Sequence, residues 1–368
     1  MKKLKQNVSG CSDQIPVDLL IEIFLRVSSK SIVRFRCVSK FWRSLLRRPN
    51  FTELFLTKSL ARPLLLFAFQ VGDGKLVFYT SLHTTNPNKR PSLDFVDRHG
   101  LICRHEQRKT QSMAMICNPI TGESITLPEV RMERIDKRSY FIGYDPIKKQ
   151  FKVLCMTWYY SKVHNIPQEH RVMTLGNGKH IWRKTKCCRP HYPLDNVICF
   201  NGVLYYCSGS CGLSSNSAVT MIVCFDVRSE IFSFIDKDEA MSIYYSCTLI
   251  NYKGKLGVAK FTYGFHRFLE LWILEDAGKH KWSKIIYEFS PLWKSIFDET
   301  SVHIIGLTGT GDIVFSAYFL SDPFYVFYYN LDSKTLTRTE IQGFEKFQNH
   351  RVYIFQEYVE NVKPNLLT

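Results

Sequence analysis

The chain has 368 residues, 45% of them hydrophobic, twelve cysteines and a formal charge of +16. That is enough apolar material for a buried core larger than one small domain, and twelve cysteines fall far below the roughly 8–10% of a disulfide-built scaffold. No apolar run approaches the ~20 residues of a membrane-spanning helix, and no apolar segment follows the basic N-terminus, so the expectation is a soluble intracellular chain with reduced thiols.

The charge is concentrated at the front. Residues 1–62 hold 13 Lys and Arg against Asp13, Asp18, Glu22 and Glu53, a net of +9. Such a density attracts an acidic partner over long range, whether protein or nucleic acid. Residues 1–12 read as a disordered basic tail, and residues 13–60 as a helical module. From Ile15 to Val27 apolar residues recur at helical spacing, with Asp13 a candidate cap and Pro16 suited to the first turn. Leu19, Leu20, Ile23, Phe24 and Val27 supply one apolar side and Ile15, Ile21 and Leu25 add a second. A helix apolar on two sides needs a second surface to cover it. Ser28, Ser29 and Ser31 are start signals for a second helix carrying Ile32, Phe35 and Val38, and Ser39 caps a third carrying Trp42, Leu45 and Leu46, which Pro49 stops. Three helices in so few residues lie near the size at which a lone domain needs a partner. The basic third helix also admits a nucleic-acid reading, but Leu, Trp and Phe stand among its charges where base-reading Asn or Gln would be needed.

The string IPVDLLIEIFLRVSSKSIVRFRCVSKFWRSLL resembles an F-box over about 40 residues. The resemblance implies docking on an acidic Skp-type adaptor and, through it, a cullin scaffold. By motif position the adaptor-facing candidates are Ile15, Pro16, Leu19, Leu20, Ile23, Leu25, Val33, Cys37, Val38 and Trp42.

After Pro63 the texture changes to short runs rich in Phe, Tyr, Val and Ile, separated by Gly, Asn, Asp and Pro. Aligned hairpin turns start at 117, 175, 225, 274 and 330, close to the ~50-residue period of Kelch-like blades. Five units leave strand-like segments at Leu64–Thr80 and Val352–Val359, whose pairing would complete a sixth blade and remove open edges. The expected architecture is α+β and multidomain: a small three-helix module, then an all-β six-bladed propeller over 61–362 and a tail over 363–368. An irregular β-sandwich is the alternative. The strings HGLICRHEQRKTQSMAMICNPITGESITLP and YFIGYDPIKKQFKVLCM make this region similar to the F-box associated domains of plant F-box proteins.

Catalytic motifs are missing from the sequence. Gly178 and Lys179 lack the rest of a phosphate loop, Gly306, Gly309 and Gly311 read as a hairpin turn, and no HExxH or GxSxG occurs. Cys187, Cys188 and His191 lie close together, and Cys207 and Cys211 are four apart, but the spacing is not that of a paired zinc knuckle. Trp158, Tyr159, Tyr160 and Trp293 suit either a recognition surface or a core. The expectation is therefore a non-catalytic substrate-recognition subunit of a Skp-cullin-F-box ubiquitin ligase in the nucleus or cytoplasm, with no cofactor or metal and an unidentified protein target. A non-degradative interaction adaptor is the alternative.

Overall fold

The computed structural model describes residues 15–71, 75–82, 101–107, 112–130, 137–158, 169–176, 178, 180–210, 221–241, 247–262, 268–289, 293 and 301–364. The expected basic tail and the candidate cap Asp13 lie outside them. Four helices open the chain: α1 (Val17–Phe24), α2 (Ser29–Phe35), α3 (Lys40–Leu45) and α4 (Pro49–Leu60). Ser28 caps α2, its Oγ accepting from Ser31 N at 3.3 Å, and Ser39 caps α3, its Oγ accepting from Trp42 N at 3.0 Å. Pro16 sits one position earlier than expected, at the N-cap of α1 rather than inside its first turn. The third helix ends at Leu45, earlier than the stop expected at Pro49, and Pro49 instead starts a fourth, where its fixed φ and absent N–H suit the first position. That fourth helix was not foreseen. It turns Phe51 and Phe55 inward and joins the module to the β domain.

All further strands fall into six antiparallel sheets. β1 (Leu64–Val71) pairs with β2 (Lys75–Leu82); β3 (Ile102–Gln107), β4 (Ser112–Cys117) and β5 (Ser124–Thr126) form the next sheet. Three four-stranded meanders follow: β6 (Lys137–Asp145), β7 (Gln150–Trp158), β8 (Glu169–Thr174) and β9 (Arg183–Thr185); β10 (His191–Phe200), β11 (Val203–Ser210), β12 (Met221–Asp226) and β13 (Ile231–Asp236); β14 (Cys247–Tyr252), β15 (Lys255–Thr262), β16 (Phe268–Asp276) and β17 (Lys281–Glu288). The last meander is β18 (Val302–Leu307), β19 (Asp312–Ala317), β20 (Tyr325–Asn330) and β21 (Leu336–Glu340). Finally β22 (Val352–Tyr358) returns to pair with β1, so Phe67 lies opposite Ile354 and Phe69 opposite Val352. The two ends of the β region thus share one sheet, and the ring closes as a six-bladed propeller.

The turns explain why the blades form where they do. Asn201-Gly202 and Lys253-Gly254 are two-residue hairpins with both residues at positive φ, the geometry whose twist matches the flanking strands. A longer turn recurs with Asn or Asp at its start and a left-handed residue four positions on: Asn118 and Gly122, Asp145 and Lys149, Asp226 and Glu230, Asp276 and His280, Asn330 and Lys334. In each, the side-chain oxygen accepts from backbone N–H groups inside the turn, as from Ser229 N at 2.6 Å and Ser333 N at 2.8 Å. Neighbouring blades are stitched by indoles: Trp182 Nε1 donates to Pro128 O at 2.8 Å, and Trp282 Nε1 to Asp236 O at 3.1 Å. The outermost strands β13, β17 and β21 carry Ser233, Asp236, Lys281, Lys284, Glu288, Arg338 and Glu340 toward water, charged and polar groups that suit an exposed sheet edge.

Candidate functional site

The module contributes its own half of a core and leaves the other half uncovered. Leu20 and Phe24, four apart on α1, are enclosed with Ile32, Leu45, Leu46, Phe51 and Phe55, and this cluster runs on without a break into Leu65–Phe69 of β1. Phe24, Phe35 and Trp42 meet with ring centroids 5.0–5.6 Å apart, Trp42 lying edge-on to both phenyl rings. The parallel stripe, Ile15, Leu19 and Ile23, is 52%, 55% and 49% exposed, and Val38 at the end of α2 is 63% exposed. Leaving a Leu or Ile in water forgoes about 1.5–3 kcal/mol of burial, so a row of them is an unfinished surface. Around it Arg26, Lys30, Arg34, Lys40, Arg43, Arg47 and Arg48 are all exposed. The Arg26–Glu22 pair at 3.7 Å is too open to neutralise much of that charge.

Of the ten residues singled out from the sequence, Ile15, Pro16, Leu19, Ile23, Cys37 and Val38 are exposed. Leu25, Val33 and Trp42 are half-buried against the core, and Leu20 is inside it. Leu20 therefore supports the module from within and presents nothing to a partner. Phe41, half exposed beside Trp42, joins the open surface without having been anticipated. Its position directly before the half-buried indole was the available signal.

The propeller holds the module through its C-terminal strap. Arg36, almost fully buried, donates from Nη2 to Leu46 O at 2.9 Å and to Val362 O at 2.5 Å. Ser29 Oγ donates to Glu360 Oε1 at 2.5 Å, Glu360 N donates to Ser59 Oγ at 3.2 Å, and Asn118 Nδ2 donates to Asn361 O at 3.0 Å. These contacts place the module at the face where β22 ends. The short hairpin turns emerge there too, as at Lys149, whose ammonium meets Glu53 of α4 at 2.8 Å. At the opposite face β7, β11, β13 and β17 end and β8, β12, β14 and β18 begin. On that face the ends of β19 and β22 expose Tyr318, Phe319 and Tyr353, with Arg351 stacked 5.0 Å from the Tyr353 ring and His303 stacked 4.0 Å from Tyr318. Between the faces runs a cavity of about 530 Å³ lined by the innermost described strand of every sheet, including Ile102, Tyr140, Ile198, Leu249, Ile304 and Ile354. One cavity touching all six sheets is the axis of a closed ring.

These observations agree with the comparisons. Residues 12–54 match the F-box domain, and residues 60–359 match the F-box associated beta propeller domain. The chain belongs to the F-box protein family. This F-box protein is 46% identical over 96% of its length to 82% of F-box protein At1g53790 of Arabidopsis thaliana, and 43% identical over 99% of its length to the whole of F-box protein DOR of the same plant. It is 41% identical over 98% of its length to 93% of F-box protein At5g65850, also of Arabidopsis thaliana. Neither matched family is an enzyme family, and no helix among the described residues is long and apolar enough to cross a membrane.

The remaining residues weighed from the sequence also have places. Gly306–Gly311 contributes to the hairpin between β18 and β19, with Gly311 at φ 88°. Trp158 is buried and Trp293 packs against a core cluster, while Tyr159 and Tyr160 lie outside the described residues. Cys207 Sγ lies 3.8 Å from Cys247 Sγ, and Cys211 is outside the described residues. Cys187 and His191 do come together, but with His170 rather than with the exposed Cys188.

Proposed function

We propose that this F-box protein is the substrate-recognition subunit of a Skp-cullin-F-box ubiquitin ligase acting in the nucleus or cytoplasm. It docks on a Skp-type adaptor through Ile15, Pro16, Leu19, Ile23, Cys37, Val38 and Phe41, and it presents a target protein on the propeller face turned away from that adaptor. The single observation that carries this reading is the uncovered apolar stripe of α1 within a basic surround, beside a stripe that the chain covers itself. The propeller forms no bond with ubiquitin. It holds a target lysine near a charged carrier and so raises the effective concentration of the reacting groups.

The test is co-purification with the adaptor and cullin, comparing wild type with Leu19→Asp/Ile23→Asp. Both positions are half exposed, so the variant folds, whereas a charge at enclosed Leu20 would break the module and say nothing about docking. Removing two apolar contacts of about 1.5–3 kcal/mol each weakens binding by more than a hundredfold. Full retention of the adaptor by the folded double variant overturns the proposal. Proteins whose abundance rises when residues 15–46 are deleted are the candidate targets.

A further inference from the structure

We propose that His170, Cys187 and His191 form a zinc site that ties the third sheet of the propeller to the fourth. The three donor atoms, two imidazole nitrogens and one thiol sulfur, lie within 4.8 Å of one another. His170 projects from β8, His191 opens β10, and Cys187 lies on the connection that carries the chain from one blade to the next. No ligand spacing links His170 to the other two, which is why the sequence led to an expectation of no metal.

His170 is 5% exposed as a residue and lines a cleft together with Cys187. Its ring lies 5.1 Å from that of His191 and 5.0 Å from Phe232, which hold it in place beside the thiol. His191 Nδ1 lies 3.8 Å from Cys187 Sγ, and His191 Nε2 is 2.7 Å from the hydroxyl of fully buried Tyr206. A ligand histidine whose far nitrogen is fixed by a buried oxygen is the usual second support of a metal site. Two nitrogens and one sulfur select zinc over the oxygen-seeking cations.

Nδ1 of His191 is also 2.9 Å from Arg189 O, and Cys187 Sγ is 3.4 Å from the same oxygen. In the metal-free chain this carbonyl accepts from the ring N–H and from the thiol. Loading moves the ring proton to Nε2, which then donates to Tyr206 Oη, and the Cys187 thiol releases its proton to solvent as the sulfur–zinc bond forms. A cleft of about 950 Å³, lined by His170, Cys187 and Phe232 among others, admits the ion. Its acids are already engaged, Glu169 with Arg171 and Lys184 and Glu230 with Lys152 and Arg183, so water takes the fourth position.

The experiment uses the full chain, stripped with chelator and titrated with Co(II), whose sulfur-to-metal charge-transfer band reports a bound thiolate. One equivalent binds per chain with that band, and zinc displaces it. Cys187→Ser abolishes the band, the neighbouring Cys188→Ser keeps it, and Tyr206→Phe weakens uptake by about 10–100-fold. Should Cys187→Ser fail to fold, His170→Gln carries the same comparison, with loss of the single tight equivalent expected. A folded chain that takes up no Co(II), or one whose uptake survives these ligand variants unchanged, overturns the proposal whatever the adaptor experiment shows.

Discussion

Arg36 tests how the helical module is latched to the propeller, because two opposing effects of similar size meet in one side chain. It is 7% exposed, and burial, reinforced by nearby Arg47 and countered by Glu123, pulls its guanidinium well below its ordinary value, to about 10. A displacement of that size corresponds to a cost of about 3 kcal/mol for keeping the charge in the fold. Against it stand the two bonds to Leu46 O and Val362 O, each worth about 1.5–3 kcal/mol for a charged donor, while Nε has no partner among the described residues. Arg36→Met keeps the apolar stem and removes the charge with both donors. It also strands two buried carbonyls. The bonds win, and the variant is destabilised by about 1–3 kcal/mol in denaturant unfolding. The loss is local, so hydrogen exchange quickens at Glu360–Val362 and across α2 before it does in β14–β17. A methionine variant as stable as wild type, with unchanged exchange at the strap, refutes the reasoning and shows that desolvation dominates.

Gly143→Ala would place a Cβ 2.6 Å from Cγ2 of buried Val227 on the next blade, so it costs about 1–3 kcal/mol, and Val227→Ala in the same chain relieves much of that penalty in thermal unfolding. Glu230→Gln leaves the nearly buried Lys152 ammonium without its anion and costs about 3 kcal/mol, whereas Lys152→Met/Glu230→Leu recovers most of the loss; a double variant as unstable as the single one contradicts this. His303 is held neutral by burial, with Arg351 adding to the effect and a Ser316 backbone bond opposing it, so its value falls from 6.5 to about 4. Below pH 6.5 the unfolded chain takes up a proton that the fold refuses, so stability is complete above that pH and falls by about 3 kcal/mol on descent to pH 4. His303→Gln flattens that part of the stability–pH curve, and an unchanged curve refutes the assignment.

What the sequence made legible follows from how local each determinant is. Serine caps at Ser28 and Ser39 act within three residues, and the Asx turns at Asn118, Asp226, Asp276 and Asn330 within four, so helix starts and hairpins could be read from short strings. Ring closure was legible for a different reason: strand-like segments left over at both ends of a repeat have only each other to pair with. The fourth helix was hidden because Pro49 reads in the string as a stop, whereas it opens α4, a role that shows only when Phe51 and Phe55 find the β domain. Leu20 could not be separated from Leu19 by periodicity, since both belong to i, i+4 pairs on a helix apolar on two sides. Only the placement of α4 and β1 decides which stripe is covered. Gly143 in the string YFIGYDP was noticed as pattern, and its physical reason, Val227 from another blade, lies 84 positions away.

The C-terminal strap gives ring closure and module orientation a common cause. β22 completes the first sheet through β1, and within four residues of its end the same segment contacts α2, α4 and the turn at Asn118. The cluster containing Phe24 and Phe55 continues through Phe67 and Phe69 to Phe344 and Phe347, where Phe69 stacks on Phe347 at 4.5 Å. An opening of the β1–β22 pairing therefore loosens the support of α1 as well as the ring. In the proposed receptor role, the helical module and the far face of the propeller need one fixed relation, because slack between them lowers the effective concentration of the reacting groups. The closing strand and the strap that follows it, bonded to α2 and α4, supply that relation with a single segment, so a chain with an open ring also loses support for its helical module.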